Sequence, residues 1–241
     1  MNTFSAGPLG RHRTMHGRVV DWLGERVVSG VYAENSQLPN ESDLAAQLGV
    51  SRGGVREAVK ALAAKGLVDP RPRIGTRVLP RSSWNLMDRQ VIGWHNTDPS
   101  FVHDLLELRL IVEPGAARLA AERVDPEQVE AMNAAYEAMA EHAARLPQHS
   151  EEFVAADLAF HLTLLRASGN QLVEQLGRLL ESGLQHGLEA TSELPGGVER
   201  TLPMHRAVLD AVRRGRPDAA ARACRKLIET TADAMAARTE S

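Results

Sequence analysis

Apolar residues recur at intervals of three and four along most of this chain, with one short stretch near position 70 that breaks the rhythm. Val19, Val20, Leu23 and Val27 form one stripe and Gly30 follows as a stop, so a helix is expected over residues 14–29. Asn40 caps a second helix, with Glu41 and Asp43 in its first turn, running to Gly49. Ser51 caps a third, "RGGVREAVKALAAKG", which ends at Gly66. "LVDP" and "TRVLP" flank "RPRIG" and predict a short β-hairpin. Residues 81–100, "RSSWNLMDRQVIGWHNTDPS", read as a connector. From Phe101 onward the pattern is helical, with breaks at Asp125-Pro126, Pro147, Gly169-Asn170, residues 193–197 and Arg216-Pro217. The expectation is a mainly α protein with one domain over 12–80, a linker over 81–100 and an all-helical bundle over 101–238.

Composition narrows the class. The chain has 241 residues, 43% of them apolar and 24% charged, with only 4% aromatic, which favours close-packed helices over sheets. Cys224 is the single cysteine, so no internal disulfide and no cysteine-built zinc site is available, and a reducing, cytoplasmic setting fits. No run of 18 apolar residues suggests a membrane span, and "MNTFSAGPLGRHR" reads as a loose tail rather than a secretory signal. The net charge of −3 divides unevenly: residues 1–81 carry 12 Lys/Arg against 7 Asp/Glu, and residues 82–241 carry 16 against 24. A basic front of +5 and an acidic back of −8 make a polyanion a plausible partner of the front alone.

Two short helices joined by "QLGVS" match a helix-turn-helix. Arg52, Arg56 and Lys60 fall at four-residue intervals on one face of the second of them, where such a stripe can enter a major groove. Ser51 and the first backbone N–H groups can bind a phosphate. The hairpin places Arg71, Arg73 and Arg77 around Gly75, as a winged variant would. The bland alternative is a merely solvated basic face.

In the back part, Asp157 and His161 lie four apart on an apolar helical face continued by Leu164 and Leu165. A buried charge is costly unless it is paired or bound. An internal ion pair, half of a metal site and half of a catalytic site are all open. His205 shares a face with Val208, Leu209 and Val212 and points inward. Arg109, between Leu105 and Val112, suits a carboxylate ligand, or an i,i+4 ion pair with Glu113, or both. His186 is a further candidate for lining a pocket.

The stretch "LPNESDLAAQLGVSRGGVREAVKALAAKGLV…RIGTRV" resembles the winged helix-turn-helix of the GntR family of bacterial regulators. The motifs "LLELRLIVEPGAARLAAER", "ADLAFHLTLLRASGN" and "MHRAVLDAVRRGRPDAAAR" resemble the FCD effector domain of its FadR branch. The resemblance implies that Arg52 and Arg56 contact DNA, that Gly75 is the wing glycine, and that Asp157, His161 and His205 match three of four metal-ligand positions. The fourth, 22 residues after His205, is Leu227 here, and Gly53-Gly54 replaces the usual Thr/Pro/Ser-type pair. One carboxylate and two imidazoles would accept Zn²⁺, with Ni²⁺ or Mn²⁺ also compatible. The connector pattern W-N-x-x-D-x-x-V-x-x-W resembles galactonate-operon repressors, which points to an aldonate or related sugar acid as effector. The expected protein is a homodimeric regulator, more often a repressor, on palindromic double-stranded operator DNA. Its rivals are a metal-dependent enzyme built on the same trio and a metal-free regulator.

Overall fold

The computed structural model describes residues 15–95, 99–145, 150–178, 181, 185 and 196–239. It divides into two compact units, Met1–Asp98 and Pro99–Ser241. Among the described residues no helix is long and apolar enough to cross a membrane.

The front unit is built from α1 (Met15–Val28), α2 (Glu41–Leu48), α3 (Arg52–Ala64), the strands β1 (Val68–Arg71) and β2 (Gly75–Val78), and α4 (Arg89–Trp94). Local chemistry sets each boundary. Asn40 Oδ1 accepts from the N–H groups of Ser42 and Asp43, which starts α2. Gly49 stops it in the left-handed conformation, φ 65°, which a side chain would strain. Ser51 Oγ then accepts from Gly54 N–H and starts α3. Leu23, Leu44, Val55, Leu62 and Leu67 are fully enclosed and form the centre of this unit. β1 and β2 pair antiparallel with Val68 opposite Val78 and Arg71 opposite Gly75. Residues 35–38 run beside β2: Leu38 N–H donates to Thr76 O and Val78 N–H to Ser36 O. That is the winged helix-turn-helix.

The stretch after the wing is more structured than a connector. A single 3-10 turn at Arg81–Ser83 leads to α4, capped by Asp88. Trp84 and Trp94 are both buried in the front core. Their indole N–H groups donate to Leu79 O and Asp21 Oδ1, at 2.9 and 3.1 Å. With the half-buried Trp22, this unit therefore holds all three tryptophans of the chain.

The back unit comprises α5 (Pro99–Arg123), α6 (Pro126–Ala143), α7 (Ser150–Ala167), a helical stretch over 171–178, α8 (Gly197–Arg213) and α9 (Pro217–Thr239). The breaks fall where Asp125-Pro126, Gly169-Asn170 and Arg216-Pro217 predict them. α5 packs on α7 and α9, α6 on α7 and α8, and α8 on α9. Small residues let α5 and α9 approach closely: Ala117, Ala120, Ala121 and Ala220 are all buried. Phe153, Phe160, Met132 and Met139 fill the wider space around α6 and α7.

Gly24 on α1 gives way to Trp94. A Cβ there would lie 2.6 Å from three atoms of the indole ring, which its own hydrogen bond holds in place. Gly24→Ala should destabilise the front unit by about 1–3 kcal/mol through overpacking. Hydrogen exchange of peptides from residues 15–95 reads that loss, and peptides beyond residue 99 should stay as in the wild type.

Candidate functional site

The front unit presents Ser51, Arg52, Arg56 and Lys60 on α3, all exposed. Ser51 is committed to its capping bond. Arg56 is held against α2 by a forked pair with Glu41, Nη2 to Oε2 at 2.9 Å and Nε to Oε1 at 3.3 Å. Lys60 pairs with Glu57 at 2.7 Å. These exposed pairs contribute little stability. At the hairpin tip Arg73 stands exposed in the left-handed conformation, φ 64°, and Gly75 follows at φ 110°. The flanking arginines are engaged: Arg71 with Asp69, and Arg77 donating to Asn35 Oδ1.

In the back unit α7 supplies Asp157 and His161, α8 supplies His205, and α5 supplies Arg109 and Glu113. All five are buried. His205 Nδ1 lies 2.9 Å from the Thr201 carbonyl oxygen. His161 Nδ1 lies 2.7 Å from Glu113 Oε2. Both partners can only accept, so both Nδ1 atoms carry the proton. In the neutral rings each Nε2 is then a lone pair. The two Nε2 atoms are 3.3 Å apart, and they sit 3.3 and 3.0 Å from Asp157 Oδ1. That oxygen is buried and accepts no hydrogen bond.

Three electron-rich atoms thus converge; Arg109 Nη2, 3.0 Å from His161 Nε2, can donate to one of them, and a divalent cation at the centre would relieve the repulsion of all three. Their spacing suits the edges of a coordination shell with metal–ligand distances of about 2.0–2.2 Å. Two imidazoles with bonded Nδ1 groups and one carboxylate fit a divalent metal. Without one, a proton on His161 takes the same place. Burial is the largest influence on that ring and lowers its pKa, but the carboxylates of Glu113 and Asp157 together outweigh burial and the Arg109 charge and raise it. For Asp157, burial acts upward and the imidazoles outweigh it, holding the carboxyl far below its usual range.

Glu113 links two partners. Its Oε1 accepts from Arg109 Nε at 2.6 Å while Oε2 takes His161. Burial pushes its carboxyl up, and Arg109 and His161 together bring it down to about 2. Both oxygens are engaged, and Glu113 does not line the cavity beside the trio. Of the residues expected to face an effector, Arg109 does line that cavity, Glu113 stands behind His161, and His186 lies outside the described residues.

The small cavity beside the trio is walled by Asp157, His161 and His205 on one side. Leu227 lines it too, and so do Arg200, Thr201, Thr230 and Thr231, which sequence reasoning missed. The signal was present: Thr201 precedes His205 by one helical turn, and Thr230 and Thr231 follow Leu227 by one.

A winged helix-turn-helix unit followed by a helical unit with an enclosed polar cluster defines a class of DNA-binding transcriptional regulators. The model described as bacterial regulatory proteins, gntR family, matches residues 16–78, and the FCD domain model matches residues 104–230. The chain belongs to the GntR family and carries its FCD domain. It is 35% identical over 230 residues to the HTH-type transcriptional regulator YieP of Escherichia coli (strain K12), covering 94% of this chain and 97% of that one. It is 32% identical over 219 residues to the galactonate operon transcriptional repressor of the same strain, covering 89% and 93%. Among solved structures, Streptococcus agalactiae GntR aligns with TM-score 0.50 and 26% identity over 91% of this chain and 99% of that one. Lar, which controls expression of the Listeria monocytogenes agr system, shares the fold with TM-score 0.66 at 19% identity, covering 94% and 99%. These relatives are regulators rather than enzymes, which removes the catalytic reading of the trio.

Glu113→Ala would strand a guanidinium in the interior and free the His161 ring. Removing one member of a buried pair costs about 3–5 kcal/mol. Urea unfolding followed by circular dichroism should show a loss of that size, and Glu113→Gln, which keeps an acceptor for His161 Nδ1, a smaller one.

Proposed function

We propose that this chain is a homodimeric repressor of a sugar-acid catabolic operon, acting in the cytoplasm and released from its operator by a small carboxylate. The observation that carries the reading is the convergence of Asp157 Oδ1, His161 Nε2 and His205 Nε2 beside a cavity that Arg109 also lines. An aldonate such as galactonate has the matching chemistry. Its carboxylate suits a guanidinium, and its hydroxyls suit the threonines of α8 and α9. The likeness to the galactonate operon repressor of Escherichia coli supports the same class of ligand.

In this reading Asp157, His161 and His205 hold a divalent metal, with Zn²⁺ favoured and Ni²⁺ or Mn²⁺ compatible. Bound there, the ion supplies a Lewis-acidic point of attachment for effector oxygens. Leu227, in place of a fourth ligand, leaves that attachment to the effector or water. Glu113 keeps His161 in the ligating tautomer and holds Arg109 by the cavity wall. Ser51, Arg52, Arg56 and Lys60 meet one half-site in the major groove, and Arg73 and Gly75 form a wing against the backbone. Two copies read two half-sites of a palindrome. Effector binding shifts the dimer only as far as the ligand prefers one state, a coupling of about 1–3 kcal/mol in typical regulators.

Arg52→Ala and Arg56→Ala should each weaken specific operator binding by about 1–3 kcal/mol. A gel-shift titration in which both bind as tightly as the wild type would remove α3 from the interface. Protein purified without chelator should contain one equivalent of divalent metal per chain by elemental analysis. Asp157→Ala should lose that metal and its response to galactonate while keeping operator affinity. Metal-free wild-type protein that still responds to the acid would leave the trio as a purely structural cluster.

A further inference from the structure

The third helix carries a pair of residues that its own fold does not require. Gly53 and Gly54 are the second and third residues of α3. Neither has a positive φ, so neither supplies the left-handed backbone for which glycine is needed at Gly49. A Cβ at Gly53 would meet only Ser51 Oγ, at 3.8 Å, and one at Gly54 the same atom at 3.5 Å. Both are ordinary contacts, and an alanine fits at either place without moving anything. Contrast Gly24, where the fold itself fills the space. Glycine inside a helix is costly relative to alanine because more backbone freedom is lost on folding. The front unit thus carries a double penalty at the start of α3 with no return in packing or turn geometry.

What the pair does provide is a bare strip of helix backbone between two exposed cations. Arg52 and Arg56 stand on either side of it in sequence. Glu41 meets Arg56 in a forked contact. Ser51 Oγ takes the Gly54 N–H at 3.1 Å, so the cap holds this strip in helical form despite the glycines. A surface that is rigid, uncovered and flanked by arginines suits a polyanion that must come close, and the front part of the chain has the positive balance for one.

We infer that Gly53 and Gly54 are specificity-determining residues at which duplex DNA packs directly on the backbone of α3, nearer than a Cβ would allow. The close approach lets the Arg52 and Arg56 guanidiniums reach base edges at full depth in the groove, where bidentate pairing discriminates between bases. A methyl group at either position lifts the helix off the duplex, and the base contacts lengthen before the phosphate contacts do. The inference rests on the reading of α3 as the DNA-contacting helix.

The test starts with duplexes enriched from a random library by the wild-type chain. Gly53→Ala, Gly54→Ala and the double variant are then compared by thermal melting and by titration with the enriched duplex. The expected result has opposite signs: the variants melt higher than the wild type, yet bind the enriched duplex at least tenfold more weakly. Their affinity for a shuffled duplex should change little. Variants that bind the enriched duplex as tightly as the wild type overturn the inference while leaving α3 as the DNA helix. Variants that melt lower overturn it as well, because the fold then needs the glycines. A wild-type chain that enriches no sequence overturns the reading of α3 itself, and the inference with it.

Discussion

Two imidazoles that have each committed their Nδ1 proton set the chemistry of the back unit. One proton goes to the Thr201 carbonyl, a turn earlier on the same helix, and the other crosses to Glu113 on α5. With those bonds made, neither ring can turn to donate toward Asp157. The cluster is left rich in lone pairs and poor in protons at its centre. Packing reinforces this: Phe160 meets both rings edge-on, with centroids 5.8 and 5.1 Å away. α5, α7 and α8 all contribute to the arrangement. A cation that enters or leaves therefore acts on three helices at once.

Arg109 belongs to the same arrangement by a different route. Its Nε is bound to Glu113, and its Nη2 reaches 3.0 Å from His161 Nε2. A guanidinium keeps its protons, so it can donate to the lone pair of His161 Nε2, while Asp157 Oδ1 and His205 Nε2 still face each other at 3.0 Å. It brings fixed positive charge to the cavity wall, which suits an anion, while the trio next to it suits a metal. Opposite electrostatic preferences on adjoining walls are what a ligand with one carboxylate and several hydroxyls can satisfy together.

Much of this was legible in the chain before any coordinates. Caps at Asn40 and Ser51, stops at Gly49 and Gly66, and the Asp-Pro and Arg-Pro breaks are local signals, and local signals survive folding. The i,i+4 spacing of Asp157 and His161 put both on one face, and the neighbours of His205 turned it inward. α4 escaped because six residues are too short to display a period, although Asp88 was there to cap it. The role of Glu113 escaped for another reason. Its pairing with Arg109 is a short-range relation, but its second partner, His161, lies 48 residues away. No pattern along the chain encodes that meeting; it exists only because α5 packs on α7.

The distribution of indoles carries a practical consequence. Trp22, Trp84 and Trp94 lie in the front unit, and none borders the cavity of the back one. Excitation at wavelengths that tyrosine does not absorb therefore illuminates only the half of the molecule that meets nucleic acid. A small molecule entering the cavity has no fluorophore there to quench. The intrinsic indole emission of the native protein therefore reports on the front unit by itself, without any added label.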